Sequence, residues 1–573
     1  MGEDTRAFLA VIRSLGRAGL EVHVAWCPVN SAALQSRYIR TIHSLPDYRP
    51  EDRSWLDAFN NLCGLYRFEL ILPCTDGTIL PFHLHRDELQ FPDRICVPDR
   101  DAFVAFSNKD ETYSLARNLT VPLPAQVTAS TVDRIHTTAD QFGFPVFLKP
   151  KASTSKDNPQ ARQFVQKVRR TEDVERCARQ MLDRGPVLVQ QNFEGIGVGV
   201  EVLCKDGEIL TAFQHQRIHE PRAGGGSSYR KSVALHSAML DATRRLMAAV
   251  RYTGVAMVEF RFSPKTRLWV LIEVNARFWG SLPLSIAAGL DFPRYLFEML
   301  CRGRSEFPRT YHLNVYARHW SADLQWMVEN LLEANCSDLN YVPWWKVAAD
   351  AINITLLREH SDTWAWDDLS PAISDLKCFF RQKTFSAAKR FRFAREIRQR
   401  AVLPIASVAR RVLFVCHGNI CRSPFAAAIF QQCESGSATC SSFGCFPKEG
   451  RVPPSTAIQA ARVFGIDLGG HRSRVLTQAD IDPADLILIF DHANQEELEA
   501  RFRGLSGKVH YLGALEPDLS IEIADPYGAD FEDFIKCYER ISRIVRTTWP
   551  PRIGEFQKPS GSYQTRISTS VSL

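Results

Sequence analysis

The sequence lacks the features that would place it in or across a membrane. No apolar run approaches the ~18 residues that a membrane-spanning helix needs. The start, MGEDTR, is acidic where a secretory signal is basic and then apolar, and Arg6 stands where a myristoylation signal requires Ser or Thr. We therefore expect no transmembrane segment, no export and a cytoplasmic protein.

Metal-ribbon and nucleic-acid signatures are missing as well. Fifteen cysteines are spread over 573 residues without any CxxC pair, which argues against a zinc ribbon or thioredoxin-like motif and predicts reduced thiols. A net charge of +6 is small for this length, and no RNA or DNA module accompanies it, so we expect no nucleic-acid partner. With 45% hydrophobic and 23% charged residues, the chain is long enough for two or three domains with buried cores.

Apolar patterns divide most of the chain into three regions. Over 1–105, a helical stripe precedes the strand-like EVHVAW, a helix in 51–66 and the strand-like FELILPC, which is the rhythm of a parallel βα sheet. Such a region normally opens on a strand, whereas here a helical pattern begins almost at Met1. One strand is therefore expected to be missing from the start. Over 106–300 the strands are longer and the turns richer in glycine. From 411 to 552 an α/β pattern resumes.

The other segments are less informative. Residues 301–378 contain many Trp and Leu in helical patterns, which predicts a helical extension. Between 379 and 411, ten Lys or Arg face a single acid, Glu396. This composition predicts a basic helical linker at 379–410, either a solvated face or a surface for anionic lipid or an acidic partner. The polar tail at 553–573 is predicted to be disordered.

A nucleophile and an anion cradle are combined in RVLFVCHGNICRSPFAAAI, residues 411–429, where a strand passes through a polar loop into a helix. A helix N-terminus and a guanidinium lower a thiol pKa from ~8.5 into the ~3.5–7.5 range, which makes Cys416 a candidate nucleophile. Arg422 supplies a planar fork for phosphate, and Ser423 can hydrogen-bond the sulfur. Backbone N–H groups of the intervening loop can converge on an anion. The predicted phosphate-binding loop comprises His417, Gly418, Asn419, Ile420 and Cys421.

An acid for the leaving group is offered by ADPYG, residues 524–528, in which Asp525 is followed by a stiff Pro and Tyr527 can wall the pocket. The CxGNxCRS and DPY segments resemble those of the low-molecular-weight protein tyrosine phosphatases over 411–552. By this resemblance Cys416 attacks phosphorus, Arg422 holds the phosphoryl oxygens, and Asp525 protonates the phenolate. The same aspartate then helps water to cleave the phosphocysteine. No cofactor is expected for this domain.

Single positions refine this resemblance. Ile420 stands where the related arginine phosphatases carry threonine, which favours tyrosine-type specificity. Arsenate reductases of this fold need further cysteines downstream. None occurs between Cys445 and Cys537, which disfavours an arsenate reductase. Cys421 is placed either to form a reversible protective disulfide with Cys416 or simply to pack as a small residue. The family's SAGT stretch is SSFGC here, which leaves the remaining pocket wall open, with Phe446 as a candidate.

Cations for nucleotide phosphates and carboxylates for magnesium occur together in the strand-rich region. VAMVEFRF and LWVLIEVNARFWG place Glu259, Glu273 and Asn275 at or near strand ends. Glu273 and Asn275 are two residues apart and therefore point to the same face of a strand. Mg²⁺ prefers such oxygen ligands. Lys149 ends an apolar strand ahead of the small-residue loop ASTS, and Lys109 begins a helix in FSNKDETYSLARNL.

These motifs resemble an ATP-grasp domain, with forms closest to biotin carboxylase and carbamoyl-phosphate synthetase. The resemblance spans about 1–300, with 1–105 as the pre-ATP-grasp domain and 106–300 as the ATP-grasp domain. It implies ATP and Mg²⁺ as cofactors, Lys109 and Lys149 as phosphate ligands, and Arg277 as the group that stabilises the acyl phosphate or the phosphate being transferred. Glu259, Glu273 and Asn275 would hold the metal. The residues implied to border adenine are Gln190, Gln191, Asn192 and Phe193.

Two positions depart from related ligases. Gly197 stands where D-alanine ligases place a ribose-binding glutamate, and Met257 stands where they have an arginine. Nucleotide binding is therefore favoured over any particular ligation. The segment 217–232, with a triple glycine flanked by Arg217 and Arg230, is either a substrate loop or a plain surface turn.

The two resemblances together predict an α/β protein in which pre-ATP-grasp and ATP-grasp domains (α+β) precede a doubly wound parallel-sheet phosphatase domain. Three functions stay open at this point. The chain is a bifunctional phosphatase and carboxylate-amine ligase, a phosphatase regulated by a silent nucleotide sensor, or a scaffold that only binds phosphotyrosine. The expected partners are a phosphotyrosine protein, with a bacterial tyrosine kinase system implied by resemblance, and a small carboxylate and amine.

Overall fold

The computed structural model divides the chain into two compact units, Met1–Ser386 and Ala387–Leu573. Within the described ranges, no helix is long and apolar enough to cross a membrane. The ASTS loop, residues 389–401 of the basic segment and the polar tail lie outside those ranges. The structure describes residues 1–2, 5–28, 30–151, 165–182, 185–221, 226–332, 342–355, 359–388, 402–433, 438–516 and 520–550.

The N-terminal unit begins with a small parallel sheet and five helices. Strands β1 (Val22–Ala25) and β2 (Ile39–His43) pair in parallel. FELILPC forms no strand, and only an isolated bridge joins Ile71 to Ile95. The backbone on both sides of Pro73 bonds to Met1 instead, where the N-terminal ammonium of Met1 donates to Leu72 O at 2.9 Å and Cys74 N–H donates to Met1 O at 2.8 Å. The helices are α1 (Thr5–Arg17), α2 (Ser54–Tyr66), α3 (Asp76–Leu84), α4 (Arg100–Ser107) and α5 (Lys109–Asn118).

A four-stranded antiparallel sheet follows, in the order β3-β6-β4-β5. Val146 and Leu148 are fully buried in the core that this sheet shares with its helices. Because side chains alternate along a strand, Lys149 faces away from that core. The elements are β3 (Gln126–Ala129), α6 (Val132–Phe142), β4 (Val146–Pro150), β5 (Gln166–Val168), α7 (Val174–Leu182) and β6 (Val187–Gln191).

The largest sheet has seven strands in the order β11-β10-β7-β8-β9-β12-β13. All its pairs are antiparallel except β12 with β13. The last two strands fall in the segment 301–378, for which the sequence predicts only helices, because strands of two or three residues leave no periodic pattern. The strands are β7 (Ile196–Lys205), β8 (Glu208–His219), β9 (Tyr229–Ser232), β10 (Gly254–Phe262), β11 (Trp269–Asn275), β12 (Tyr316–Arg318) and β13 (His360–Ser361).

Separate apolar cores lie against the two faces of this sheet. Leu203 belongs to one core, which also contains α1, and its neighbour Val202 belongs to the other. This is the alternation expected of strands covered on both faces. The remaining helices that begin in the N-terminal unit are α8 (Ser237–Ala249), α9 (Leu282–Ala287), α10 (Phe292–Arg302), α11 (Trp320–Leu332), α12 (Trp344–Thr355) and α13 (Ser370–Ala388).

The C-terminal unit confirms the predicted doubly wound parallel sheet, in the order β15-β14-β16-β17. Strand β14 lies between the next two strands in sequence, so the winding reverses at its carboxyl end. Open α/β sheets bind ligands at such a point. The strands are β14 (Arg411–Cys416), β15 (Thr439–Gly444), β16 (Leu486–Ile489) and β17 (Val509–Tyr511). The helices are α14 (402–408), α15 (Arg422–Cys433), α16 (Ser455–Val463), α17 (Gln478–Ile481), α18 (His492–Arg501) and α19 (Phe531–Thr548).

Candidate active sites

Cys416 is the last residue of β14 and lies at the carboxyl end where the winding reverses. Its side chain is buried, and its Sγ is 3.1 Å from the Oγ of Ser423, in the first turn of α15. The five loop residues between β14 and α15 therefore lie at the N-terminus of a helix. The backbone N–H groups and the dipole of such a terminus favour an anion.

Asn419 holds the loop in its strained shape. Its φ of 50° is in the left-handed region, which asparagine tolerates better than most residues. Its side-chain amide donates to the hydroxyl of Ser423 at 2.9 Å and to that of Ser442 at 3.0 Å. Its Oδ1 accepts from the backbone N–H of Arg474 at 2.8 Å. Sequence analysis missed Ser442 and Arg474, although both lie within 411–552, the range over which the resemblance extends.

Gly444, at the end of β15, allows the loop to approach the neighbouring strand. A Cβ there would lie 2.8 Å from both the backbone N of Asn419 and the carbonyl oxygen of His417. Real Cβ atoms do not come so close to backbone, so any side chain at 444 must displace the loop.

We expect Gly444→Ala to lower kcat/KM for p-nitrophenyl phosphate about tenfold or more, because the loop can no longer present its N–H groups to one point. Gly450→Ala is a suitable control. A Cβ at Gly450 would meet no atom within 4 Å, although the φ of 73° there adds some local strain. Equal activity of wild type and Gly444→Ala in steady-state assays would contradict this account of the loop.

Arg422 is fully buried and connects two acidic side chains. Its Nη1 donates to Asp491 at 2.5 Å and to the carbonyl of Ile523 at 2.9 Å, and its Nη2 donates to Asp525 at 2.6 Å. Burial alone would lower the pKa of Arg422, but the negative charges around it, with Asp525 foremost, raise it above its usual value. Its Nε is buried without a hydrogen-bond partner in the described part of the chain, so one donor is available for a phosphoryl oxygen.

Asp525 and Tyr527 lie on the loop between β17 and α19. The Asp525 side chain is 41% exposed, so water and a leaving group can reach it, and its Oδ1 accepts from the backbone N–H of Tyr527 at 3.2 Å. Tyr527 itself is half-buried. The structure thus brings the predicted nucleophile, phosphate ligand and acid to one place.

The other loop side chains have separate surroundings. His417 Nδ1 is 2.6 Å from Glu497 Oε1, and its ring lies edge-on to Phe446. Cys421 is buried, and burial raises the pKa of its thiol well above the ordinary value. Cys416 and Cys421 are both free thiols, and the two proposed roles of Cys421 stay open. Ile420 is buried beside Gly418.

In the N-terminal unit, two carboxylates face each other on neighbouring strands. Glu259 on β10 is the register partner of Glu273 on β11, so both side chains leave the same face of the sheet. Burial raises the pKa of Glu259 although Arg217 opposes the shift. For Glu273 the effect of burial is outweighed by Lys109 and Lys149, which lower its pKa. Asn275 donates to Glu273 at 3.0 Å. Five predicted residues thus form one cluster: Glu259, Glu273, Asn275, Lys109 and Lys149.

Both predicted lysines are buried. Burial lowers the pKa of Lys149 to about 8, and Glu273 counteracts this shift. A cavity beside Glu273 and Asn275 is also lined by Lys109, Asp76 and Tyr113. Asp76 and Tyr113 were not found by sequence analysis, because single residues in distant helices carry no spacing signal.

Arg277 and Glu259 already have ionic or polar partners. Arg277 Nη2 donates to Asn275 Oδ1 at 2.9 Å and lies 2.8 Å from an oxygen of Asp76. Glu259 pairs with Arg217 at 2.6 Å. This second pair was not predicted, because the polar segment QHQRIHE, at the end of β8, gives no sign in the sequence that its residues are buried or half-buried, as they are in the structure.

The predicted adenine border lies at the end of β6 and just beyond it. Gln190 is buried, and its side-chain amide donates to Tyr113 at 3.1 Å and to Gln126 at 3.0 Å. Gln191 is exposed, and Asn192 and Phe193 are half-buried. Because the Gln190 amide is already engaged, adenine would have to contact the backbone of this segment.

The residues present fit a magnesium ion that is completed by nucleotide oxygens. Within the described residues no group of three or more His, Cys, Asp or Glu is arranged to hold a metal by itself. ATP-dependent sites commonly hold Mg²⁺ with one or two carboxylates plus phosphate oxygens, however. Glu259 and Glu273 supply such a pair.

The family model for low molecular weight phosphotyrosine protein phosphatases matches residues 411–552. A protein of Ralstonia nicotianae, "Probable low molecular weight protein-tyrosine-phosphatase EpsP", is 37% identical over 144 residues, which are 25% of this chain and 96% of that protein. The chain belongs to the low-molecular-weight protein tyrosine phosphatase family. The Sus scrofa low molecular weight phosphotyrosine protein phosphatase is 33% identical over 148 residues, covering 24% of this chain and 93% of that protein.

The phosphatase domain is joined to an ATP-grasp domain. A family model described as "ATP-grasp in the biosynthetic pathway with Ter operon" matches residues 183–319. Among solved structures, the low molecular weight protein tyrosine phosphatase of T. tengcongensis is 32% identical to this chain. The match covers 24% of this chain and 94% of that phosphatase, with a TM-score of 0.22. Biotin carboxylase of Campylobacter jejuni is 14% identical to this chain. The match covers 55% of this chain and 73% of the biotin carboxylase chain, with a TM-score of 0.43.

Proposed function

We propose that the phosphatase domain hydrolyses phosphotyrosine in proteins through a phosphocysteine intermediate. The observation that carries the proposal is that Cys416, Arg422 and Asp525 converge at one strand end, with Ser423 at 3.1 Å from the sulfur. A simple phosphotyrosine-binding scaffold needs no acid there, so Asp525 favours an enzyme.

The proposed reaction has two steps. The sulfur of Cys416 attacks phosphorus, the bond between phosphorus and the phenolic oxygen breaks, and Asp525 gives its proton to that oxygen. Water then attacks the phosphocysteine, Asp525 takes its proton, and sulfur leaves with the help of the Ser423 hydroxyl. Arg422 now donates to Asp525, so a bound phosphoryl group replaces this carboxylate as partner of the guanidinium and leaves Asp525 available to the leaving group.

We propose that the ATP-grasp domain binds ATP and activates a carboxylate as acyl phosphate, which an amine then attacks. The two carboxylates on one sheet face, with Lys109 of α5 and Lys149 of β4 close enough to lower the pKa of Glu273, support this assignment. Glu259, Glu273 and Asn275 would hold Mg²⁺, which neutralises phosphate charge when bound. Lys109 and Lys149 bind phosphate oxygens, the backbone of 190–193 borders adenine, and Arg277 stabilises the acyl phosphate.

We expect Glu273→Gln to raise the Kd for ATP in the presence of Mg²⁺ about tenfold, because the Mg²⁺ that protein and nucleotide share loses an anionic ligand. The same variant should abolish ADP release with pooled carboxylates and amines. Isothermal titration calorimetry and a coupled ADP assay measure the two effects. Glu298→Gln, on α10 and paired with Arg294, is the control. Unchanged magnesium-dependent binding in Glu273→Gln would refute the metal assignment. ATP binding without turnover by wild type would favour the sensor alternative.

A further inference from the structure

Two loops of the phosphatase domain that the proposed chemistry does not use carry an excess of positive charge. They are residues 446–451, which follow β15, and residues 471–474, which precede α17. Against the single acid Glu449 they carry four cations, which we call the basic rim: Lys448, Arg451, Arg472 and Arg474. Arg451 is half-buried and the other three are exposed. Four cations on two short loops form a local field that an anionic partner can use.

The two loops of the basic rim are bonded to each other. Ser473 N–H donates to the carbonyl of Arg451 at 3.0 Å, and the Ser473 hydroxyl accepts from Arg451 N–H at 3.0 Å and donates to the carbonyl of Lys448 at 3.1 Å. The guanidinium of Arg451 lies 4.4 Å above the ring of Phe446. A Cβ at Gly418 would lie 3.2 Å from Nη1 of Arg451. The rim therefore reaches the outer side of the phosphate-binding loop.

Both loops also bond directly to the first half of the phosphate-binding loop. Phe446 N–H donates to the carbonyl of His417 at 2.8 Å. On the other loop, Nε2 of His471 lies 2.8 Å from the carbonyl oxygen of Asn419. The basic rim is thus held at a fixed place beside the site where phosphate binds, so its charge meets a substrate in a defined orientation.

The other end of the phosphate-binding loop has the opposite charge beside it. Arg422, directly after the loop, donates to Asp525 at 2.6 Å and to the carbonyl of Ile523 at 2.9 Å. The segment 521–535 that contains both contains no Lys or Arg and five acids, namely Glu522, Asp525, Asp530, Glu532 and Asp533. The last three of these acids are exposed. The surroundings of the site are therefore basic beside 417–419 and acidic beside Arg422.

We propose that the basic rim docks an acidic flank of the phosphotyrosine protein and that the segment 521–535 repels acidic residues from the other flank. This inference rests on the phosphatase function proposed above and adds its substrate specificity. When phosphotyrosine is in the site, the residues before it and after it lie on different sides of the entrance. Complementary charge then selects substrates that are acidic on one side only, and like charge excludes the reverse orientation. The competing explanation is that both charged surfaces are merely solvated.

The test compares three phosphotyrosine peptides that differ in two positions. One peptide has two Glu directly before the phosphotyrosine, the second has them directly after it, and the third has Gln at all four positions. The kcat/KM of the full chain is measured for each at low ionic strength, where surface charges are least screened. We expect one of the two acidic peptides to exceed the Gln peptide about fivefold to tenfold, and the other not to exceed it.

The rim is tested with the double variant Lys448→Gln/Arg472→Gln, which should reduce this preference to about twofold or less. The double variant Arg462→Gln/Arg546→Gln is the matched control, because it removes the same two charges from exposed positions elsewhere in the domain. Arg546 donates to Gln432 at 2.9 Å, and the turn after Arg462 accepts from the same side chain at 3.4 Å. Gln432 lies near the end of α15, whereas the active site lies at the start of that helix.

Each outcome decides the question. A preference for one acidic peptide that falls in the rim variant and stays in the control supports the proposal. Equal preference for both acidic peptides, or for neither, overturns it. An equal fall in the rim variant and the control shows an effect of net charge alone and also overturns it. A wild type that hydrolyses none of the three peptides contradicts the phosphatase function itself, because the Gln peptide needs no docking.

Discussion

Cys416→Ser should lower phosphatase activity by about 10⁴-fold or more, with both p-nitrophenyl phosphate and phosphotyrosine peptides. A serine hydroxyl is a far weaker nucleophile than sulfur. The polar group that contacts Cys416 is the hydroxyl of Ser423, at 3.1 Å, which cannot serve as a strong general base for a serine at 416. The loop and Arg422 remain, so the variant should still bind vanadate. In cells, the same variant should raise phosphotyrosine on the protein substrates of the enzyme.

Cys440→Ser provides the control for this prediction. Cys440 is a half-buried free thiol near the start of β15, whereas the loop contacts the end of that strand at Gly444. Cys440→Ser should keep wild-type kcat/KM within about twofold. Substantial activity in Cys416→Ser would show that another group attacks phosphorus. Unchanged phosphotyrosine in a Cys416→Ser strain would argue against the expected link to a bacterial tyrosine kinase system.

The phosphatase site was predictable because most of its parts are local in sequence. Cys416, Arg422 and Ser423 lie within eight residues, and the strand, loop and helix that arrange them form one continuous pattern. Asp525 is distant in sequence, but its DPY segment is distinctive enough to be found alone. What sequence could not give is the support of the loop, because the contacts of Asn419 with Ser442 and Arg474 join three separate segments.

The ATP-grasp region was harder to predict, since its site is assembled from separate strands and helices. The register of β10 with β11 places Glu259 opposite Glu273, and pairing register between distant strands cannot be read from composition. The same limit hid the contact of Arg217 with Glu259. Strands β12 and β13 were missed for another reason, because they are too short to show a pattern. FELILPC has the pattern of a strand but forms a single isolated bridge, from Ile71 to Ile95, among the described residues.

Asp525→Asn should reduce activity by an amount that depends on the leaving group. Asparagine keeps the shape of the side chain and can accept from the N–H of Tyr527, which Asp525 does now at 3.2 Å, but it has no proton of suitable acidity to give. Tyrosine is a poor leaving group because its phenol has a pKa of ~10, so we expect kcat for phosphotyrosine peptides to fall about 10³-fold. For p-nitrophenyl phosphate, whose phenolate leaves far more readily, the fall should be only about tenfold to 10²-fold.

The ratio of these two losses separates an acid from a structural residue. Asp525 also pairs with Arg422 at 2.6 Å, so a change there could disturb the phosphate ligand and would then slow both substrates equally. Asp491→Asn removes the other carboxylate on the same guanidinium, at 2.5 Å, and serves as the matched variant that tests this effect alone. Stopped-flow and steady-state rates with both substrates would measure the ratio. Equal losses in Asp525→Asn, matching those of Asp491→Asn, would remove Asp525 from proton transfer and leave it as a partner of Arg422.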